Sequence, residues 1–167
     1  MLLGFMAVGK STVGHRLAER LSVQFYDTDE EVVKSQSMSV GEIFDKYGEA
    51  HFRTLEENVF SMLLAEKEAV ISTGGGLPCQ EKSIALISSH CHSVHITVGA
   101  DRLMERLLAD DSRPLVNGKS KSQLLAFIKS KLRERNSYYN KADITVRGIG
   151  SPDDIADRII RKLKKLT

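Results

Sequence analysis

The stretch Gly4-Phe5-Met6-Ala7-Val8-Gly9-Lys10-Ser11-Thr12 decides the fold. It fits G-x-x-x-x-G-K-[ST] and stands between an apolar start, Met1-Leu2-Leu3, and an amphipathic run over 10–21. A phosphate-binding loop requires that strand–loop–helix context. Glycines let backbone N–H groups turn inward on a polyphosphate, and the N-terminus of the next helix adds partial positive charge. Gly4, Ala7, Val8, Gly9, Lys10, Ser11 and Thr12 are therefore the candidate nucleotide-binding residues. Lys10 is expected to reach the β- and γ-phosphates, and the Ser11 hydroxyl to hold Mg²⁺. The strand before the loop is short for a central strand, so it is either unusually brief or lacks residues at its N-terminal end.

Working outward, short apolar runs alternate with longer amphipathic ones, the pattern of an α/β domain on a parallel sheet. Strands are expected near 1–3, 23–26, 69–73, 93–98 and 143–146. Helices are expected near 10–21, 29–36, 39–47, 49–66, 80–88, 100–108, 120–140 and 152–165. Ser39 and Ser151 each precede an acid by three residues, Glu42 and Asp154, as capped helix starts do. The polar stretch 109–120, centred on Arg113-Pro114, is long for a link between helices and reads as a lid. A length of 167 residues suits one domain, 1–167.

Composition narrows the function. At 41% hydrophobic and 28% charged, the chain is neither disordered nor membrane-like. No apolar run approaches the ~18 residues that span a bilayer. The start leads straight into the glycine loop, so no signal peptide and a cytoplasmic location are expected. A net charge of +2 is too small to argue for nucleic acid. The basic tail Arg158–Lys165 alternates with apolar residues at helical spacing and reads as a solvated helix face. Cys79 and Cys91 have no metal or redox spacing and read as free thiols.

The loop alone does not give the activity. Asn140-Lys141-Ala142-Asp143 spells the guanine-reading N-K-x-D, but it follows a polar helical stretch and precedes a strand, the wrong context. An ATPase coupled to movement carries an acid at the end of an apolar strand. The run 69–73 ends instead in Thr73 and Gly74-Gly75-Gly76. The acid must come from Asp27-Thr28-Asp29, because carboxylates at strand C-termini face the ligand crevice of an open α/β sheet. Asp27 and Asp29 point the same way if the chain stays extended. A capped helix start is the other reading, and the two are compatible. Three glycines in a row permit positive φ or close approach to backbone. Arg53, with Glu56 three residues on, and Arg135, within a charged run, read from composition alone as helix surface.

Taken together, the loop, Asp27-Thr28-Asp29, Phe52-Arg53, Gly74-Gly75-Gly76, Ser112-Arg113-Pro114-Leu115 and Arg135-Asn136-Ser137-Tyr138-Tyr139 resemble shikimate kinases in order and spacing, across essentially the whole chain. The resemblance implies ATP-dependent phosphorylation of the 3-hydroxyl of shikimate to shikimate 3-phosphate, in chorismate and aromatic amino-acid biosynthesis. It also implies a three-layer α/β/α P-loop NTP hydrolase fold of the nucleoside-monophosphate-kinase kind. The sheet would have five parallel strands in the order 2-3-1-4-5, with an acceptor-binding region near 29–60 and a closing lid near 109–120.

By the same likeness, Asp29 orients or deprotonates the accepting hydroxyl, Arg53 and Arg135 hold the carboxylate, and Gly74, Gly75 and Gly76 line the acceptor. Ser11 and Asp27 take Mg²⁺, Lys10 and Arg113 reach the phosphates, and Arg106 and Pro152 lie along the adenine. The implied ligands are ATP, Mg²⁺ and shikimate, with a monomer and no nucleic-acid or membrane partner. Two guanidiniums and a carboxylate suit a hydroxylated acid. A side chain in the glycine tract would then fill the acceptor's space. Ala7 departs from the family's usual glycine. The alternatives are another P-loop kinase, of the gluconate or nucleoside-monophosphate type, and a nucleotide-binding module without catalysis.

Overall fold

A computed structural model describes residues 1–109 and 118–166. Five strands form one parallel sheet in the order β2-β3-β1-β4-β5. They are β1 (Leu2–Leu3), β2 (Gln24–Asp27), β3 (Ala69–Ser72), β4 (Val94–Thr97) and β5 (Ile144–Arg147). The strand before the phosphate loop spans two residues and lies at the centre of the sheet. Leu2 pairs with Ser72 on one side and Val94 on the other, and both leucines are wholly buried.

The helices are α1 (Lys10–Leu21), α2 (Thr28–Gln36), α3 (Val40–Leu63), α4 (Glu81–His90), α5 (Ala100–Leu108), α6 (Lys121–Tyr139) and α7 (Pro152–Leu163). Ser39, Ser120 and Ser151 each close a capping box with the residue three further on. The helices expected over 39–47 and 49–66 are one element broken at Gly48, whose φ of 82° suits glycine. Leu77–Cys79 forms a 3₁₀ turn that periodicity does not reveal, since three residues are too few to show a period.

Parallel strands need crossover connections, which are nearly always right-handed. The β1-to-β2 crossover runs one way along the sheet, and the later crossovers run the other way. Handedness therefore sets α1 on one face and α4, α5 and α6 on the opposite face, while α7 packs beside α1. The core between these layers draws on Leu3, Ile96 and Val146 from the sheet and Leu17, Leu103 and Ile159 from the helices. Each such side chain contributes about 1.5–3 kcal/mol on burial. A satellite cluster of Val32, Ile43 and Phe52 fastens α2 to α3.

The direction of winding reverses between β1 and β3, and a crevice opens beyond the carboxyl ends of strands at such a point. The loops there are 4–9 and 73–76. The N-K-x-D stretch lies at the amino end of the edge strand β5, the opposite end of the strands from this crevice. Its Asp143 carboxylate accepts from Ser93 N–H at 2.7 Å and Ser93 Oγ at 2.8 Å, clipping the start of β5 to the start of β4. Cys79 and Cys91 are free thiols. No helix among the described residues is long and apolar enough to cross a membrane.

Candidate active site

The phosphate loop is shaped by two glycines with positive φ, Gly4 at 145° and Gly9 at 96°. A side chain at Gly4 would strike the Ile96 carbonyl at 2.6 Å. Ala7 also sits in the left-handed region, at φ 60°. That conformation costs an L-residue roughly 1–2 kcal/mol. Lys10 opens α1 and is buried, its Nζ donating to Gly4 O at 2.9 Å and Phe5 O at 3.0 Å. His95, opposite Leu3 on β4, is buried against the Tyr139 ring. Burial first, and the Lys10 charge second, push its imidazole down to about 4, so it stays neutral beside the lysine.

Asp27 ends β2 in an extended conformation and caps α2, which begins at Thr28. The chain therefore does not stay extended through Asp29. One Asp27 oxygen accepts from Asp29 N–H at 3.0 Å, and the other accepts from Ser11 Oγ at 2.6 Å. A single carboxylate both caps the helix and meets the phosphate loop. Thr28 Oγ1 accepts from Gly74 N–H at 2.8 Å and ties the β2 and β3 ends together.

The glycine tract is crowded by the protein's own functional groups. A methyl at Gly74 would overlap Glu56 Oε1 and lie 2.5 Å from Asp29 Oδ1. One at Gly76 would lie 2.7 Å from an Arg53 nitrogen. Gly75 is less tight, its nearest neighbours being Met6 N at 3.3 Å and Arg135 Nη1 at 3.4 Å. At positions 74 and 76 a side chain would meet Glu56, Asp29 and Arg53 of the protein itself. The Gly75 carbonyl accepts from Arg135 Nη1 at 3.1 Å and from Tyr139 Oη at 2.5 Å. Burial raises the Tyr139 phenol above its ordinary range and keeps it a donor.

Arg53 does not lie on a free helix surface. Its Nη1 donates to Glu56 Oε2 at 2.7 Å and its Nη2 to Glu49 at 2.9 Å. Glu56 is wholly buried. Burial pushes its carboxyl up, Arg53 opposes that, Asp29 adds to it, and the balance lies at about 7.

A cavity of about 420 Å³ runs along the phosphate loop, with Asp27, Asp29, Thr73, Gly75, Arg106 and Pro152 also in its wall. Arg106 reaches from α5 and donates to Ala7 O at 2.8 Å. Of the expected nucleotide residues, Ala7 through Thr12, Arg106 and Pro152 line one cavity, with Asp29 and Gly75 in the same wall, while Gly4 is not in that wall. Arg53, Arg135, Gly74 and Gly76 are not part of that wall; they cluster around the rest of the glycine tract. Arg113 and most of the expected lid at 109–120 lie outside the described residues.

Sequence reasoning missed Glu56 and Thr28 as parts of this site. A signal for Glu56 existed: Phe52, Glu56 and Phe60 recur at four-residue steps, so the acid lies on the apolar stripe of α3. Thr28 had no such signal, because its partner Gly74 is 46 residues away in the chain.

Comparison with known proteins agrees with this geometry. The family model described as shikimate kinase matches residues 6–164. A shikimate kinase of Aquifex aeolicus is 40% identical over 98% of this chain and 94% of its own length. Its crystal structure, covering the same shares, superposes with a TM-score of 0.85. A shikimate kinase structure from Bacteroides thetaiotaomicron is 31% identical, with a TM-score of 0.92 over 98% of this chain and 96% of that one. One from Acinetobacter baumannii in complex with shikimate is 30% identical, with a TM-score of 0.91 over 99% of this chain and 92% of that one. On motif, fold and likeness alike, the chain belongs to the shikimate kinase family.

Proposed function

We infer that this chain transfers the γ-phosphoryl group of ATP to the 3-hydroxyl of shikimate, giving shikimate 3-phosphate on the route to aromatic amino acids. The observation that carries the reading is the shared wall of Asp29 and the phosphate loop, with Arg53 and Arg135 packed on the adjoining glycines. Shikimate offers a carboxylate for the arginines and hydroxyls for the aspartate. Guanidinium forks match a carboxylate through paired hydrogen bonds.

The residues present fit a divalent cation. Ser11 Oγ and Asp27 stand 2.6 Å apart beside the loop, the hydroxyl-and-acid pair that a nucleotide-bound Mg²⁺ uses in P-loop enzymes. When bound, Mg²⁺ would supply charge neutralisation to the phosphate oxygens. The loop N–H groups and Lys10 bind and orient the phosphates. Arg106 and Pro152 line the nucleoside end. Asp29 accepts a hydrogen bond from the 3-hydroxyl and takes its proton as the new P–O bond forms and the bond to ADP breaks. A phosphoryl transition state is loose, so positioning and charge do most of the work. Arg113 adds positive charge on this reading.

The test is ADP release from Mg·ATP, read by a coupled spectrophotometric assay, with shikimate, gluconate or AMP as acceptor. Release that depends on shikimate alone is expected. Release with gluconate or AMP overturns the substrate, and saturable ATP binding with no turnover overturns the enzyme.

A further inference from the structure

Glu56 is more deeply buried than any other carboxyl among the described residues, with no exposed side-chain surface. Its Oε2 accepts from Arg53, but its Oε1 has no hydrogen-bond donor among the described residues. An ionised oxygen left this way is costly. Position 74 shows what that oxygen faces. A methyl there would touch both Glu56 Oε1 and Asp29 Oδ1, so the two oxygens converge on the space the glycine leaves. Two neighbouring carboxylates, one of them wholly buried, do not both stay ionised readily. The charged groups facing Glu56 are Asp29 from α2, Arg53 on its own helix and Arg135 from α6.

We propose that Glu56 carries a proton on its Oε1, and that this proton binds together with the acceptor's carboxylate. Arg53 provides the link. Both of its terminal nitrogens already serve protein carboxylates, Glu56 and the exposed Glu49. With Glu56 ionised, the Arg53 charge is neutralised from within. With Glu56 protonated, that charge is open to an incoming anion, and Asp29 remains the acceptor. Anion and proton therefore favour each other by the same factor. Burial, the largest cause, brings Glu56 to about 7, so both forms are populated near neutrality. Glu56 is a positioning residue: it acts through Arg53 and Asp29.

The proposal rests on the reading that Arg53 takes the shikimate carboxylate, and the test separates the two. Shikimate is titrated into the full chain without nucleotide, by calorimetry from pH 6 to 8.5, in buffers of different ionisation enthalpy. The wild type is expected to take up about half a proton at pH 7 and nearly one at pH 8. Its affinity is expected to fall by up to about thirtyfold from pH 6 to pH 8.5. In E56Q the amide does not titrate and its oxygen accepts from Arg53, so binding should take up no proton and stay flat with pH. Tight binding without uptake in the wild type overturns the proposal alone, as does equal uptake in E56Q. No binding at any pH overturns the acceptor reading and the proposal with it. The wild-type proton count decides the matter even if E56Q folds poorly.

Discussion

Replacing Gly74 with alanine puts one methyl group where two functional carboxylates meet. The new Cβ would overlap Glu56 Oε1 and lie 2.5 Å from Asp29 Oδ1, where real contacts of this kind are not seen below 3.0 Å. Asp29 must therefore give by at least about half an ångström, and Glu56, wholly buried, has no open space to enter. Overpacking of this sort costs about 1–3 kcal/mol, or roughly 2–12 °C in Tm for a domain of this size. Misplacing a reacting group by ~1 Å costs about a hundredfold. We expect kcat/KM for shikimate to fall by about two orders of magnitude, while KM for ATP stays within a few fold, because Gly74 is outside the nucleotide cavity. The assay is coupled ADP release with each substrate varied in turn, alongside a thermal melt. An alanine variant with wild-type kcat/KM for shikimate and an unchanged Tm refutes the reasoning, since it shows that the two carboxylates are not held at that contact.

Lys10→Ala and Asp29→Ala should each lower turnover by at least ~10² while leaving the melt cooperative, and steady-state rates read this directly. Ala7→Gly should relieve the left-handed strain at φ 60° and raise stability by about 1 kcal/mol, seen as a Tm increase of roughly 2–4 °C. His95 and Glu56 should give opposing pH slopes. The His95 pKa is lowered from 6.5 to about 4, so the unfolded chain binds the extra proton and up to about 3 kcal/mol of stability is lost as pH falls from 6.5 towards 4. The Glu56 pKa is raised from 4.5 to about 7, so the folded chain binds the extra proton and a similar amount is lost as pH rises from 4.5 to 7. His95→Leu should therefore lose stability towards neutrality by urea unfolding, and a variant that keeps the wild-type profile contradicts the assignment.

The phosphate loop, the approximate positions of the strands and that of Asp27 were legible because each depends on a local pattern, whereas the strand order, set by pairings such as Leu2 with Ser72 and Val94, came only with the family resemblance. G-x-x-x-x-G-K-S fixes a strand, a loop and a helix within a few residues, and apolar runs mark the remaining strands. The break at Gly48 and the boxes at Ser39 and Ser151 are local in the same sense. What escaped is set by contacts distant in the chain. Arg53 and Glu56 look like an exposed ion pair until α3 is laid against α2, when Glu56 turns out to be buried against Asp29. The glycine tract was rightly read as a place of close approach, but which groups approach it depends on Arg53, Glu56 and Arg135 from two different helices. Thr28 and Tyr139 meet the same tract through hydrogen bonds spanning 46 and 64 residues, which no short window contains.

The central claim is that the acceptor's carboxylate is held beside the glycine tract while its 3-hydroxyl faces Asp29. A crystal structure of the chain with shikimate and Mg·ADP tests it most directly. The account predicts the carboxylate on the guanidiniums of Arg53 and Arg135, and the 3-hydroxyl within hydrogen-bond distance of Asp29. Shikimate bound with its carboxylate away from both arginines, or with the 3-hydroxyl turned away from Asp29, would contradict it.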